Sequence, residues 1–265
     1  MIFLSVSLLS CSNIGIARKY SETTGNTIDT IEIRKNAKLL TLIDDDGYNT
    51  FITMMLPIIK EKNVSISTAI ETGKVGKNDY MDWKSIKKCK KRGAEVLNHS
   101  KYHIYSKEKS QQRTKEDIRQ EMFESIDEMV KQGYKHTADI WVYPGASAGS
   151  TWSVCSEIMR VGINSSGSKV NTYPFKHRYT LSRYPICSKY THTYDEMQGY
   201  IDELAKSSGW EIWMMHSHNG YMNTTFLEDL KKIIDYARSQ DIRIVSVKEA
   251  LDFYGIVNKN ISIEK

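Results

Sequence analysis

Lys38-Leu39-Leu40-Thr41-Leu42-Ile43-Asp44-Asp45-Asp46-Gly47 is the stretch on which the reading of this chain turns. From Leu39 to Ile43 every residue is apolar or β-branched, and a run this short, bounded by Asp and Gly, predicts a buried strand. Three carboxylates and a glycine follow directly. They sit where an α/β fold keeps its functional groups, just past the C-terminal end of a strand.

The rest of the chain alternates in the same manner. Ile52, Leu56 and Ile59 give Phe51 to Lys62 helical spacing, and Val64 to Ile70 is the next strand. Trp83 to Lys91 predicts a helix closed by Gly93, and Glu95 to Asn98 a strand. Thr114 to Lys131 carries Ile118, Met122, Ile126, Met129 and Val130 on one helical face, with Asp117 three residues after Thr114. Ala138 to Tyr143 reads as a strand ending at Pro144-Gly145. A helix over Val154 to Val161, strand-like segments at Gly162 to Ser165 and Tyr179 to Tyr184, and a helix over Asp195 to Lys206 follow. Glu211 to Met215 is a strand ending at His216, and Thr225-Phe226-Leu227-Glu228 has the form of a capping box opening a helix to about Ser239. Ile242 to Val247 and Lys248 to Phe253 finish the pattern as strand and short helix. Such alternation predicts a mainly parallel α/β fold, with Asp44 to Asp46, His99, Pro144 and His216 at strand ends.

At 265 residues the chain suits one large domain. A net charge of +5, with bases and acids interspersed, gives no footprint for nucleic acid. Cys11, Cys89, Cys155 and Cys187 have neither metal-site nor disulfide-framework spacing, so the last three read as buried thiols. Met1 to Ser10 is mostly apolar, and Leu8-Leu9-Ser10-Cys11 resembles the lipobox of bacterial lipoproteins. That resemblance implies export, cleavage before Cys11 and a lipid anchor there in the cell envelope; the alternative is an uncleaved apolar N-terminus. The following stretch to about Arg34, rich in Ser, Thr, Asn and Gly, reads as a linker. The expected organisation is signal and linker over 1–35, a domain over 36–255 and a tail over 256–265. No other segment approaches the roughly 20 apolar residues of a membrane span.

Asn98-His99-Ser100-Lys101-Tyr102-His103 places two imidazoles four residues apart just past a predicted strand. Alone the spacing is a weak motif. In a helical turn it would put both rings on one side, and with a carboxylate from Asp44 to Asp46 they can hold one divalent ion with positions left open. Without an ion, the acids are a solvated turn and the histidines surface groups. Trp141, Trp213 and Tyr143 read as core rather than as a sugar platform. His218, two residues past His216, reads as a neighbour pointing the other way.

The order of these segments resembles the polysaccharide deacetylase family, the carbohydrate esterases that share the NodB homology domain, over about Lys38 to Gly255. The family's first motif, Thr-Phe-Asp-Asp-Gly, is similar to Ile43-Asp44-Asp45-Asp46-Gly47, with Asp44 in the aromatic's place. Its His-Ser/Thr-x-x-His motif corresponds to His99-Ser100-Lys101-Tyr102-His103, and its Leu-x-His motif to Met214-Met215-His216. The Arg-x-Pro-aromatic motif corresponds to Val142-Tyr143-Pro144-Gly145, which lacks both the arginine and the aromatic. Arg183, in Leu181-Ser182-Arg183-Tyr184-Pro185, is the candidate compensating cation. The Asp-x-x-Asp-Trp type motif has no match between Ser166 and Thr180.

The resemblance implies a distorted (β/α) barrel of about seven mainly parallel strands in one domain. It also implies a metal-dependent hydrolase that removes acetyl groups, chiefly N-acetyl, from a polysaccharide or oligosaccharide. Asp46, His99 and His103 would hold Zn2+, Asp45 would be the base and His216 the general acid. Arg183, Tyr143, Pro144 and Gly145 would orient the base or meet substrate, with the Gly145 N–H near the developing oxyanion. The implied partner is an acetylated glycan, with membrane contact only through Cys11. Two alternatives stand beside it. Asp44-Asp45-Asp46-Gly47 also satisfies the signature of haloacid-dehalogenase-like phosphatases, with Asp44 as nucleophile and Asp46 as acid. The departures in the third motif equally suit a catalytically silent carbohydrate-binding homologue.

Overall fold

Strand β1 (Lys38–Asp44) is sunk in the centre of the molecule, as its apolar run requires. In the computed structural model, residues 28–104, 113–146, 148–149, 151–165, 170–187, 192–218 and 220–257 are described. The lipobox-like segment ending at Cys11 lies outside them.

The chain continues through α2 (Thr50–Lys62), β2 (Ser67–Ile70), α3 (Trp83–Lys91), β3 (Glu95–Asn98), α4 (Lys115–Lys131), β4 (Ile140–Val142), α5 (Thr151–Ile158) and β5 (Val161–Asn164). It then runs through β6 (Val170–Asn171), β7 (Leu181–Ser182), β8 (Tyr184–Pro185), α6 (Tyr194–Ser207), β9 (Gly209–Met215), α7 (Thr224–Ser239), β10 (Arg243–Ile244) and α8 (Val247–Phe253). The helix before β1, α1 (Ile28–Lys35), occupies residues expected to be linker. Tertiary contact explains the difference: Arg34 Nε donates to the Phe253 carbonyl at 3.0 Å, docking α1 against the end of α8.

The strands run in the order β9-β1-β2-β3-β4-β5-β7, all neighbours parallel. One continuous segment closes the ring. Leu181 and Ser182 pair with β5, and Tyr184 and Pro185 pair with β9, so the chain crosses from one neighbour to the other at Arg183. The result is the expected distorted (β/α) barrel, with the predicted Tyr179 to Tyr184 strand resolved into two short strands flanking this joint. Strand β6 pairs antiparallel with β9, and β10 pairs parallel with β1.

Period-two alternation sorts β1 between two cores. Leu39 and Ile43 pack inside the barrel with Ala69, Leu97, Ile140, Val142, Val161, Ile163, Trp210 and Ile212, while Leu40 and Leu42 pack outward among the helices. The buried indole of Trp210 donates to Thr41 Oγ1 at 2.9 Å, and Thr41 donates to the Val245 carbonyl at 2.8 Å, so both of these donors are satisfied. Val247, Ala250 and Leu251 of α8 join the interior cluster. The Glu95 carboxylate, at the start of β3, accepts the first backbone N–H groups of α8 from Val247 and Lys248, both at 2.8 Å.

Helix caps fall mostly as predicted. Thr114 and Asp117 form a capping box at α4. At α7 the cap is Asn223, whose side chain accepts from Phe226 N, so the helix opens two residues before the expected Thr225 box. Cys89, Cys155 and Cys187 are buried and form no disulfide among the described residues. Among the described residues no helix is long and apolar enough to cross a membrane.

Candidate active site

Because neighbouring strands are parallel, the residues after β1, β3, β4, β7 and β9 meet at one end of the barrel. Each of the three acids after β1 has a separate partner there. Asp44 is fully buried; Ser217 N and Oγ donate to its two oxygens at 2.6 and 2.8 Å. Burial pushes its carboxyl well above the usual range, against the opposing pull of those hydrogen bonds. Enclosed in this way, Asp44 has no oxygen available for attack, which sets aside the phosphatase reading that needs it as nucleophile.

Asp45 is 2 % exposed, and Arg183 Nη1 donates to both its oxygens, at 2.7 and 2.5 Å. Arg183 Nη2 donates to the Tyr143 carbonyl at 3.0 Å. Val142, which stands where the family motif has its arginine, is buried inside the barrel. The cation therefore comes from the joint between β7 and β8. Tyr143 contributes its backbone; its ring is buried and its hydroxyl donates to the Tyr179 carbonyl at 2.9 Å. Gly162 beneath it is required by space, since a Cβ would lie 2.7 Å from that ring and 2.4 Å from the Tyr179 oxygen.

Asp46 faces the histidines. It adopts φ 75°, and Gly47 follows at φ 79°, a left-handed pair that turns the chain out of β1 and that Asp and Gly tolerate best. Its Oδ1 lies 3.2 Å from His103 Nε2 and 3.4 Å from His99 Nε2, yet among the described residues this buried oxygen has no aligned hydrogen bond. His99 Nδ1 lies 2.8 Å from the Val142 carbonyl, which can only accept; Nδ1 therefore carries a proton, and Nε2 is the atom that would face an ion. One ligand atom from each of Asp46, His99 and His103 falls within 4.8 Å of the other two. Two imidazole nitrogens and an orphaned carboxylate oxygen converging on one point fit a divalent ion. Burial opposes ionisation of Asp46, but the imidazoles of His103 and His99 outweigh it and hold the carboxyl well below the usual carboxylate range.

The histidine pair converges without the helical turn expected for it. Ser100 and His103 take φ 68° and 52°, and Ser100 Oγ accepts the His103 N–H at 2.9 Å. Asn98 Oδ1 accepts from Ser100 N. Glu121, from α4, accepts from Lys101 N at 3.3 Å and Tyr102 N at 3.0 Å while Arg113 Nη2 donates to it at 2.5 Å. A buried acid on a predicted apolar face was the available signal for Glu121, but its partners lie far along the chain.

His216, its side chain 26 % exposed, places Nε2 3.9 Å from Asp46 Oδ2 and stacks against His218. His218 also turns inward: its Nε2 is 2.9 Å from Asp46 Oδ2. The sequence reading had it pointing away from His216, but in the loop after β9 both rings face Asp46. Pro144 is buried and Gly145 exposed beside β4, with Gly145 at φ 61°.

Comparison with known proteins agrees with this geometry. No curated protein matches the chain. Among solved structures, the Xyl-CE4 domain of a multidomain xylanase from the hindgut metagenome of Trinervitermes trinervoides is 16% identical, with TM-score 0.55, covering 86% of this chain and 96% of that one. A family 4 acetyl xylan esterase from Clostridium thermocellum in complex with a cobalt ion is 17% identical, with TM-score 0.54 and coverage of 83% and 93%. A CE4 family pseudoenzyme from Bacillus anthracis is 15% identical, with TM-score 0.56 and coverage of 83% and 67%. At these identities the likeness speaks for the fold. The family described as polysaccharide deacetylase matches residues 32–164, half of the chain, taking in both the acids after β1 and the histidine pair. The chain belongs to the polysaccharide deacetylase family.

Proposed function

We propose that the protein is a metal-dependent hydrolase that removes N-acetyl groups from a polysaccharide or oligosaccharide. The observation that carries this reading is the adjacency, at one barrel end, of the Asp46–His99–His103 cluster and the Asp45–Arg183 pair. The two imidazoles and one carboxylate suit Zn2+. When bound, such an ion supplies Lewis acidity, acidifying water and polarising a carbonyl.

The side chains supply the rest. Asp45, held by Arg183 in one orientation, accepts the proton of the attacking water. Arg183 supplies the counter-charge to this buried carboxylate. His216 is exposed enough to meet substrate and donates a proton to the departing amine, which is a poor leaving group without it. The Gly145 N–H lies beside β4 to meet the developing oxyanion. The lipobox-like Leu8 to Cys11 supports a setting in the cell envelope, where acetylated polymers are found. A silent binding role rested on the missing third-motif arginine and aromatic; Arg183 answers the first of these, and the second is left to the activity test below.

The test is acetate release from N-acetylated glycans by zinc-loaded protein, with Asp45→Asn as control. Release that disappears in the variant supports the reading. Zinc binding with no release from any acetylated glycan would leave the silent alternative in its place.

A further inference from the structure

The two oxygens of Asp46 have different neighbours. Oδ1 faces His99 and His103, whereas Oδ2 lies 2.9 Å from His218 Nε2. An ionised carboxylate only accepts, so His218 Nε2 carries the proton; among the described residues its buried Nδ1 has no hydrogen-bond partner. The His218 ring stands edge-on to Tyr48, centroids 4.0 Å apart at 89°, and the Tyr48 hydroxyl accepts from Tyr80 at 2.9 Å. Tyr48 thus packs directly against the ring.

The backbone bearing His218 is fixed as well. Its neighbour Ser217 gives both donors to Asp44, and Thr50 Oγ1 lies 3.1 Å from Ser217 Oγ. An aromatic at position 44, the residue type of the family motif, has no oxygen to accept these two donors. Asp44 and Ser217 therefore form a clamp that sets the chain immediately before His218.

We infer that His218 is a positioning residue for the Asp46 carboxylate, and that the Asp44–Ser217 clamp holds His218 in place. Resting on the reading of Asp46, His99 and His103 as metal ligands, this assigns His218 outside the ligand set. Its N–H occupies Oδ2, leaving Oδ1 as the single oxygen presented between the two imidazoles. Without that bond the carboxylate rotates, and either oxygen or both can turn to the ion. Partners of this type orient ligands and typically govern metal affinity by about 10- to 100-fold.

The experiment measures zinc affinity by chelator competition, and the visible spectrum of the cobalt-substituted protein, for wild type, His218→Leu, His218→Gln, Asp44→Asn and His99→Ala. Expected are a loss of about 10- to 100-fold in affinity and an altered cobalt spectrum for His218→Leu. His218→Gln, whose amide N–H reaches a similar point, stays close to wild type, and Asp44→Asn falls between. Should His218→Leu fail to fold, near-native affinity in His218→Gln together with weakened binding in Asp44→Asn still supports the assignment. Wild-type affinity in folded His218→Leu overturns it, as does a loss in His218→Gln equal to that in His218→Leu. Zinc binding that is absent from wild type, or unchanged in His99→Ala, instead sinks the metal-site reading, and this inference with it.

Discussion

Arg183 meets Asp45 across 138 residues of sequence, and it does so from the joint at which β7 gives way to β8. Both side chains are almost wholly buried, so neither charge has water to fall back on. Arg183→Met is expected to destabilise the protein by about 3–5 kcal/mol, because it strands a buried carboxylate. Acetate release should drop by about 10²- to 10⁴-fold as the base loses its orientation. Arg183→Lys retains a charge but not the forked contact with Asp45 and the Tyr143 carbonyl, so it should fall between. Thermal unfolding and acetate release, measured on the same preparations, check both effects. A Met variant as stable and active as wild type would show that the pair is dispensable.

Metal removal gives a second prediction. Dialysis against a chelator should abolish acetate release, and added zinc should restore it. At free zinc 100 times the dissociation constant, binding to the folded state alone adds about 2.7 kcal/mol of stability. His99→Ala should erase this shift in melting temperature, since His99 contributes one of the three converging ligand atoms.

Glu121 offers a third. Its carboxylate takes two backbone N–H groups from the turn between the paired histidines and the Arg113 guanidinium. Glu121→Ala leaves these donors without their acceptor, at an expected cost of about 1–3 kcal/mol in urea unfolding. Zinc affinity should weaken with it, because the turn that carries His103 loosens. Glu121→Gln, which keeps one acceptor oxygen, should lose less of both.

Glu95 yields a prediction in pH. Burial raises its carboxyl pKa, outweighing the hydrogen bonds from Ser67, Lys248 and Val247. The folded state therefore holds this proton more tightly than the unfolded chain, whose carboxyl titrates near 4.3. Stability contributed by Glu95 is full below about that value and declines as pH rises towards the higher folded value. Glu95→Gln does not titrate, so its deficit relative to wild type should be largest in acid and narrow as pH rises. Chemical unfolding at several pH values reads this directly; a deficit that widens with pH would contradict it.

Local signals carried much of this architecture. The apolar run of β1, the histidine pair and the spacing of the helices announced themselves because each depends on neighbours within a few residues. Arg183 was recognisable as a spare cation beside the missing motif, but its reach to Asp45 depends on where the barrel closes. Glu121 and His218 were beyond local reading: one acts from a helix on the turn after β3, and the other lies in the loop past the end of β9, whose path no local pattern sets. Helix α1 escaped because Ile28, Thr30, Ile31 and Ile33 are β-branched and weak helix formers, and its docking to α8 supplies what propensity does not.

The joint at Arg183 makes barrel closure and the state of Asp45 a single event. Opening β7 and β8 from their neighbours carries the guanidinium away and leaves a buried carboxylate without its countercharge, so partial opening is penalised at its first step. The pair thus works as a latch on the fold. Insertions that other βα loops would absorb should fail between Leu181 and Pro185, and a break in the chain there should silence the site while most of the helices remain standing.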